Sequence, residues 1–563
     1  MRRLFLLKAR VGIGRIATIL VAALALGACA ELPVTGPVRE GVKGGTAVEP
    51  VLQALAARPL PGASPEQIVQ GFLQAVMAGG SDGYEVARSY LAEPAATIWD
   101  PSAEVALYRR GEDPILVSNV TGTSLTLSFT QISRLDQDGR FSLIDSTEQH
   151  QRFGLVSVEN QWRISQVPPG VVLPQDVFAN DFVNALVYFP AAEGRMMVPD
   201  VHYFLRRSAA TATTQAFLDG PPAYLEGVVN LPLPPGVRLT TEVVRVQEGL
   251  ARVNLGSELH RATENELSML VACLNASLLS LPEVTGVTLE VDGQPLDQVA
   301  SLPLETEPLA GEGVYYLGYG GLWRLNPRPE RLAGYEKSLD WETLTVDPNG
   351  LRIAGRQDGK VMVIGASKEA EEWPTRNQAT AGPIYDSAGR LWVGAGQSVY
   401  WFSYDGQPTQ VWTSWMSGRR VVGLAPARDG ARLAVLSESL FDGTTRLDLV
   451  GIERANGAPF RLGEPLTITS LPGKPASIAW YDQVTLAVLA PTELGPATVQ
   501  LIGVGSASQV LGAPSDPSTS LAAGRASDGL YVTGEAGGLF EYDPQALVWT
   551  SVATGARAVT YRA

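Results

Sequence analysis

The sequence is poor in the residues that most chemistry requires. It has two cysteines, Cys29 and Cys273, and three histidines, His150, His202 and His260, in 563 residues. No two histidines fall within metal-ligand spacing, and no cysteine pair exists in the body of the chain, so a zinc or iron site of the usual kinds is excluded. Stability must come from packed cores rather than disulfides. Basic charge is also short, with Lys+Arg 43 against Asp+Glu 58 and a formal net charge of −15. That balance argues against nucleic acid as a partner, because phosphate neutralisation needs a cationic surface. Gly-x-Ser-x-Gly, His-Glu-x-x-His, a Walker A loop and an EF-hand loop are all missing. The reading is therefore no catalytic residues, no cofactor and no metal.

Long apolar runs are missing too. The most apolar stretch near the start, Ile16 to Leu26, holds 11 residues. As a helix it would be about 16 Å long, too short for a bilayer core of about 30 Å. It follows Arg2, Arg3, Lys8, Arg10 and Arg15 with no acidic residue between, the outline of a secretory signal. Arg2-Arg3 also resembles a twin-arginine export signal, so the export route stays open. Leu26-Gly27-Ala28-Cys29 closes the segment and resembles the lipobox of bacterial lipoproteins. That resemblance implies cleavage after Ala28 and acylation of Cys29, anchoring the mature chain by lipid rather than by a span. Loss of residues 1–28 takes the formal charge from −15 to −20.

What is abundant is turn-forming residues, 58 Gly and 39 Pro, and a length that calls for several domains. Residues 29–60 read as a lipid-attached flexible linker containing Pro33, Pro37, Gly41, Gly44 and Gly45. Over 61–180, Ser64-Pro65-Glu66-Gln67 is a capping box opening a helix with Ile68, Val69, Phe72, Leu73, Val76 and Met77 on one face, ended by Gly79-Gly80. A second helix is expected from about Tyr84 to Leu91. Strand alternation follows at Leu125, Leu127 and Phe129, at Phe153 and Leu155, and at Trp162 and Ile164. Helices followed by a meander describe an α+β cone that resembles a nuclear-transport-factor-2-like domain.

Over 183–298 the expected order is strands at Leu186 to Phe189 and Val201 to Leu205 and a helix from Ala209 to Leu218. Strands at Leu239 to Val246 and Ala251 to Leu255, a helix from Glu264 to Ser280 and a strand at Val287 to Val291 complete it. Cys273 lies in the long helix, as a half-buried structural thiol. Val-Tyr-Phe-Pro (187–190), Leu-Asp-Gly-Pro (218–221), Leu-Ala-Arg-Val-Asn-Leu (250–255) and Val-Thr-Leu-Glu-Val-Asp-Gly (287–293) together resemble the GerMN domain of sporulation, germination and envelope proteins.

From 310 to 563 the chain repeats a unit of two apolar strands around an Asp- or Gly-containing turn. With Ile353, Trp392, Ala434, Ala487 and Val532 as equivalent points, the intervals are 39, 42, 53 and 45 residues. Repeats of about 40 to 50 residues with several short strands indicate a β-propeller. The first repeat, at Val314 to Leu325, lacks an inner strand, and the last segment, Arg557 to Tyr561, is an inner strand with nothing after it. Joined, they close the ring and make six blades.

Asp347, Asp386, Asp429, Asp482 and Asp528 are the candidates for a channel site, but each falls in an inter-strand turn, where Asp commonly caps its own backbone. Trp392, Trp401, Trp412, Trp415 and Trp480 offer either an aromatic patch for a partner or packing between blades.

A lipobox, an α+β cone, a GerMN-like domain and a propeller, in that order, resemble the LpqB lipoproteins of actinobacteria. The resemblance implies an extracytoplasmic protein, lipid-anchored at the outer face of the cell membrane. It further implies a non-enzymatic accessory that binds the extracellular domain of an MtrB-like sensor histidine kinase and tunes two-component signalling in cell-wall homeostasis and division. Two alternatives stay open: binding or hydrolysis of a cell-wall glycan polymer in the propeller channel, and capture of a small molecule in the N-terminal cone.

Overall fold

The computed structural model describes residues 57–563, except 120–121, 193–195, 297–298, 308–312, 338, 367–368, 493–494 and 526–527. The signal segment, Cys29 and most of the linker lie outside the described residues. The last linker residues are held against the first domain, with Tyr90 Oη donating to Ala57 O at 2.7 Å and Arg58 paired with Glu85 at 3.0 Å.

The first domain opens on helix Pro65–Met77. Ser64 Oγ accepts from Gln67 N, and Gln67 Oε1 accepts from Ser64 N, so two free N–H groups of the first turn are satisfied reciprocally. The Gly79-Gly80 pair does not end this helix as expected. Ala78 caps it, and the two glycines open a separate turn, Gly79–Asp82. Added Cβ atoms there would strike Tyr84 and Asp181, so the glycines serve close packing instead. The second expected helix shrinks to Glu85–Arg88.

The sheet runs in the order Gln161–Gln166, Phe141–Val158, Ser124–Asp136, Glu104–Tyr108, Val171–Pro174. The meander was expected; the parallel pairing of Glu104–Tyr108 with Val171–Pro174 was not. Helix and sheet enclose Phe72, Trp99 and Phe153, whose rings meet edge to face at 5.2 and 6.0 Å. These side chains occupy the inside of the cone.

The second domain begins with the hairpin Phe182–Pro190 and Met197–Leu205. The free edge of its first strand does not need a third strand. Ser280 Oγ accepts from Leu186 N at 3.0 Å and Ser277 Oγ accepts from Tyr188 N at 2.8 Å, both from the end of helix Glu264–Leu279. That helix starts at a second capping box, Thr263 with Glu266. Cys273 on it is 0% exposed, fully rather than half buried. Of the strand expected at Leu239 to Val246, the sheet keeps an isolated bridge between Leu239 and Leu255 and the strand Arg245–Gln247. Between these two paired points the chain turns toward helix Ala209–Asp219, where Val244 N donates to Thr211 Oγ1.

Among the described residues the rest forms six antiparallel sheets of at least four strands each. Blade 1 combines Val314–Gly318, Gly321–Leu325 and Pro329–Arg331 with the final strand Ala558–Tyr561, whose register runs from Val314 opposite Tyr561 to Leu317 opposite Ala558. The inner strands of blades 2 to 6 are Thr345–Val346, Ala381–Tyr385, Arg419–Pro426, Ser477–Trp480 and Ser518–Ala523. Blades 4 and 5 share one hydrophobic core with the second domain: Val187, Phe189, Val228 and Leu274 lie in the same cluster as Leu436, Leu449, Trp480 and Leu486.

Candidate functional site

The five turn carboxylates are all engaged locally. Asp347 Oδ1 accepts from Leu351 N and Arg352 N, and Asp386 accepts from Ala388 N, Arg390 N and Trp392 Nε1. Asp429 accepts from Ala431 N, Arg432 N and Arg432 Nε, while Asp482 takes Val484 N. Asp528 is held bidentately by Arg525 at 3.0 and 3.1 Å. Each residue pins the hairpin that carries it; Asp386 and Asp429 border one small cavity against the second domain, and Asp429 and Asp482 border another beside Glu307. Among the described residues no group of three or more His, Cys, Asp or Glu is placed to hold a metal ion.

The tryptophans mostly join blades. Trp392 is buried, and Trp480 Nε1 donates across to Ala425 O at 2.9 Å. Trp401 and Trp415 of blade 3 donate to Pro459 O and Gly463 O of blade 4. Trp412 alone of these five is well exposed, at 57%, beside Phe460 and under the Arg461 guanidinium.

The inner strands surround a central cavity of about 670 Å³. Those of blades 2 to 6 each lead into an Asp turn, and the turns of blades 3 and 4 lie against Ala191, Gly227 and Val228 of the second domain. The opposite mouth is bordered by Arg356, Arg420, Glu438 and Lys474. Blade 4's outer hairpin on that side carries Leu440 and Phe441, both exposed.

A buried polar junction, which no local pattern announces, ties the three domains together. Asp200, 3% exposed, accepts from His202 Nε2 at 2.8 Å, Arg140 Nη2 at 3.2 Å and Tyr224 Oη at 3.2 Å. Arg140 belongs to the first domain, and His202 Nδ1 also bonds Asp138 O there, at 2.7 Å. Burial by itself would raise the Asp200 carboxyl, but the His202 hydrogen bond and the His202 and Arg140 charges outweigh it and hold the group below the usual carboxylate range. From the propeller side Arg432, 1% exposed, pairs with Asp429 at 2.7 Å and donates to Gln483 O at 2.7 Å. Its guanidinium lies 4.9 Å from the Trp480 ring. Tyr188 Oη reaches Gln483 Oε1 at 3.0 Å to complete the seam.

Fold and site thus define a three-domain protein in which two α+β modules are fused to a propeller through shared apolar and polar contacts, with the carboxylates of the propeller turns used structurally. Comparison with known proteins places this domain set. Residues 58–179 match the family described as lipoprotein LpqB, N-terminal domain, residues 186–297 that of sporulation and spore germination, and residues 320–559 that of the lipoprotein LpqB beta-propeller domain. The chain belongs to the LpqB lipoproteins.

Relatives include a lipoprotein LpqB of Cutibacterium acnes, 29% identical over 301 residues, 52% of this chain and 50% of the relative. Another, from Streptomyces avermitilis, is 26% identical over 512 residues, 82% of this chain and 81% of the relative. The chain thus aligns with only half the length of the Cutibacterium relative. These relatives carry lipoprotein names and not enzyme names. Among solved structures, a TolB-type protein from Agrobacterium tumefaciens, titled putative, aligns at a TM-score of 0.32 and 10% identity, over 45% of this chain and 98% of that one. A gluconolactonase from Xanthomonas campestris aligns at 0.31 and 14%, over 45% and 89%. Among the described residues no helix is long and apolar enough to cross a membrane.

Proposed function

We propose that the protein is a lipid-anchored accessory on the extracytoplasmic face of the cell membrane that binds the extracellular domain of an MtrB-like sensor histidine kinase and tunes its signalling. The observation that supports a binding role over a chemical one is the state of the five propeller carboxylates. Each accepts at least one hydrogen bond within its own turn, the use expected of a carboxylate that pins a hairpin. Three modules fused into one unit suit a docking platform, because little interface ordering remains to be lost on binding. The propeller face away from the second domain, with Leu440 and Phe441 exposed on its rim, is the surface offered to the kinase.

The test is a phosphotransfer reporter for the kinase in cells making either the parent protein or Cys29→Ser at equal abundance. Altered output in the variant supports the reading. Unchanged output, with the variant confirmed as released from the membrane, would remove it. Glycan binding in the propeller cavity is the second reading, favoured by the volume of that cavity, which falls in the range of about 300–1,000 Å³ usual for ligand sites.

A further inference from the structure

The charge lining the propeller cavity runs against the charge of the whole chain. Acidic residues outnumber basic ones 58 to 43 overall. Among the residues bordering the cavity the charged ones are five cations, Arg356, Arg420, Arg428, Lys474 and Arg562, and two carboxylates, Asp386 and Glu438. Asp386 is buried and spent on its own turn and on Trp392. Ala563 also borders the cavity, and a carboxylate at that position would reduce the excess by one.

The cations form two tiers. At the open mouth, Arg420 begins the inner strand of blade 4 and Lys474 stands just before that of blade 5. Both lean on the single carboxylate Glu438, Lys474 at 3.3 Å. Arg356 stands beside the start of blade 2, where its Nε pairs with the half-exposed Glu342 carboxylate at 2.8 Å and its Nη1 donates to Thr380 O at 3.1 Å. At the far end, Arg428 lies beyond the inner strand of blade 4 and reaches across to Trp480 O at 3.0 Å and Ala523 O at 2.9 Å. It therefore bridges three blades and forms part of a floor, backed on the other side by Thr306 and Glu307. Arg562 adds a second guanidinium at this level, with its Nε buried and without a hydrogen-bond partner among the described residues.

We propose that this cavity is a binding cup for a small polyanion, a sugar-sized molecule carrying carboxylate or phosphate groups. The ligand enters past Arg356, Arg420 and Lys474, which steer it, and its leading anionic group faces Arg428 and Arg562. Low-dielectric walls strengthen these interactions relative to water, and the mouth concentrates anions that the rest of the surface repels. Guanidinium groups suit both carboxylate and phosphate, so the two chemistries share the site.

The test is isothermal titration of the full-length protein in detergent with tripolyphosphate, with trigalacturonate and, as the uncharged comparison, with maltotriose. One or both anions should bind one to one, more weakly at high salt, and maltotriose should not bind. Whichever anion binds more tightly identifies the phosphate or the carboxylate source. The double variant Arg356→Gln/Lys474→Gln should weaken binding about tenfold or more, with a small fall in melting temperature from loss of the Arg356 contacts to Glu342 and Thr380 O. Lys474→Gln alone, at a side chain 75% exposed, serves if the double variant folds poorly. Absence of binding of both anions at about 1 mM, a Kd weaker than about −4 kcal/mol, would overturn the proposal. So would a folded mouth variant that binds as tightly as the parent. Kinase capture by the ligand-free protein is read separately, so failure here leaves the docking proposal standing.

Discussion

Replacing Asp200 with Asn should open the junction between the first and second domains. In the parent the carboxylate is almost fully buried and takes three hydrogen bonds, from His202 at 2.8 Å and from Arg140 and Tyr224 at 3.2 Å each. An amide of the same shape keeps at most part of this set, loses the charge that Arg140 and His202 face, and presents donors toward donors. Breaking a buried hydrogen-bonded ion pair from one side costs about 3–5 kcal/mol. Of this, about 3 kcal/mol falling on local opening corresponds to a hundredfold or greater loss of amide protection. The affected backbone is Asp138 to Phe141 and Met197 to Phe204, including Tyr203 N, which donates to Gly139 O at 2.7 Å.

The pH dependence follows from the direction of the shift. The folded carboxyl titrates below its ordinary value of 3.8, so its stabilisation is fully present above that value and is lost as pH falls through the lower folded one. Parent and variant should therefore differ most at neutral pH and converge as pH falls through the folded value, which lies below 3.8. Hydrogen exchange read by mass spectrometry reports both effects. Equal protection of the junction in parent and variant at pH 7 would refute the reasoning.

Gly451→Ala should loosen the seam between propeller and second domain, since a Cβ there would lie 2.6 Å from Tyr224 O and clash with Val228 as well. The expected loss is about 1–3 kcal/mol in denaturant unfolding, whereas Gly512→Ala, with nothing within 4 Å, should be close to neutral. Cys273, whose thiol burial pushes up to about 12, should resist thiol reagents at pH 8 in the native protein and react on unfolding; rapid native labelling would contradict its placement. Cys29→Ser should move the protein from the membrane to the soluble fraction, read by fractionation and by loss of acyl mass.

The elements that were legible in the sequence are those with local causes. Ser64 with Gln67, and Thr263 with Glu266, mark helix starts because capping is settled within four residues. The propeller turns were readable for the same reason, since an Asp that accepts from the backbone N–H groups just after it fixes its own hairpin. Closure of the first blade could be argued from two incomplete ends, Val314 to Leu325 and Arg557 to Tyr561, because unpaired edges are costly.

What was not legible depends on distant partners. Gly79-Gly80 resembles a helix stop until Tyr84 and Asp181 are seen against it. The strand at Leu239 to Val246 is interrupted where a threonine on another helix takes Val244 N. The Asp200 junction joins positions 140, 200, 202 and 224, with Arg432 nearby from the propeller, and no spacing relates them. His202, one of only three histidines, was the available signal there. The cation tiers of the cavity escape notice because their members are spread over four blades of an acidic chain.

The most direct test of the central claim is crosslinking of the lipidated protein in intact cells, followed by mass spectrometry of the captured chains. The account predicts a sensor-kinase ectodomain joined to the propeller face that carries Phe441, with capture lost in Cys29→Ser. Peptidoglycan fragments or wall-synthesis enzymes on that face, with no kinase, would contradict it.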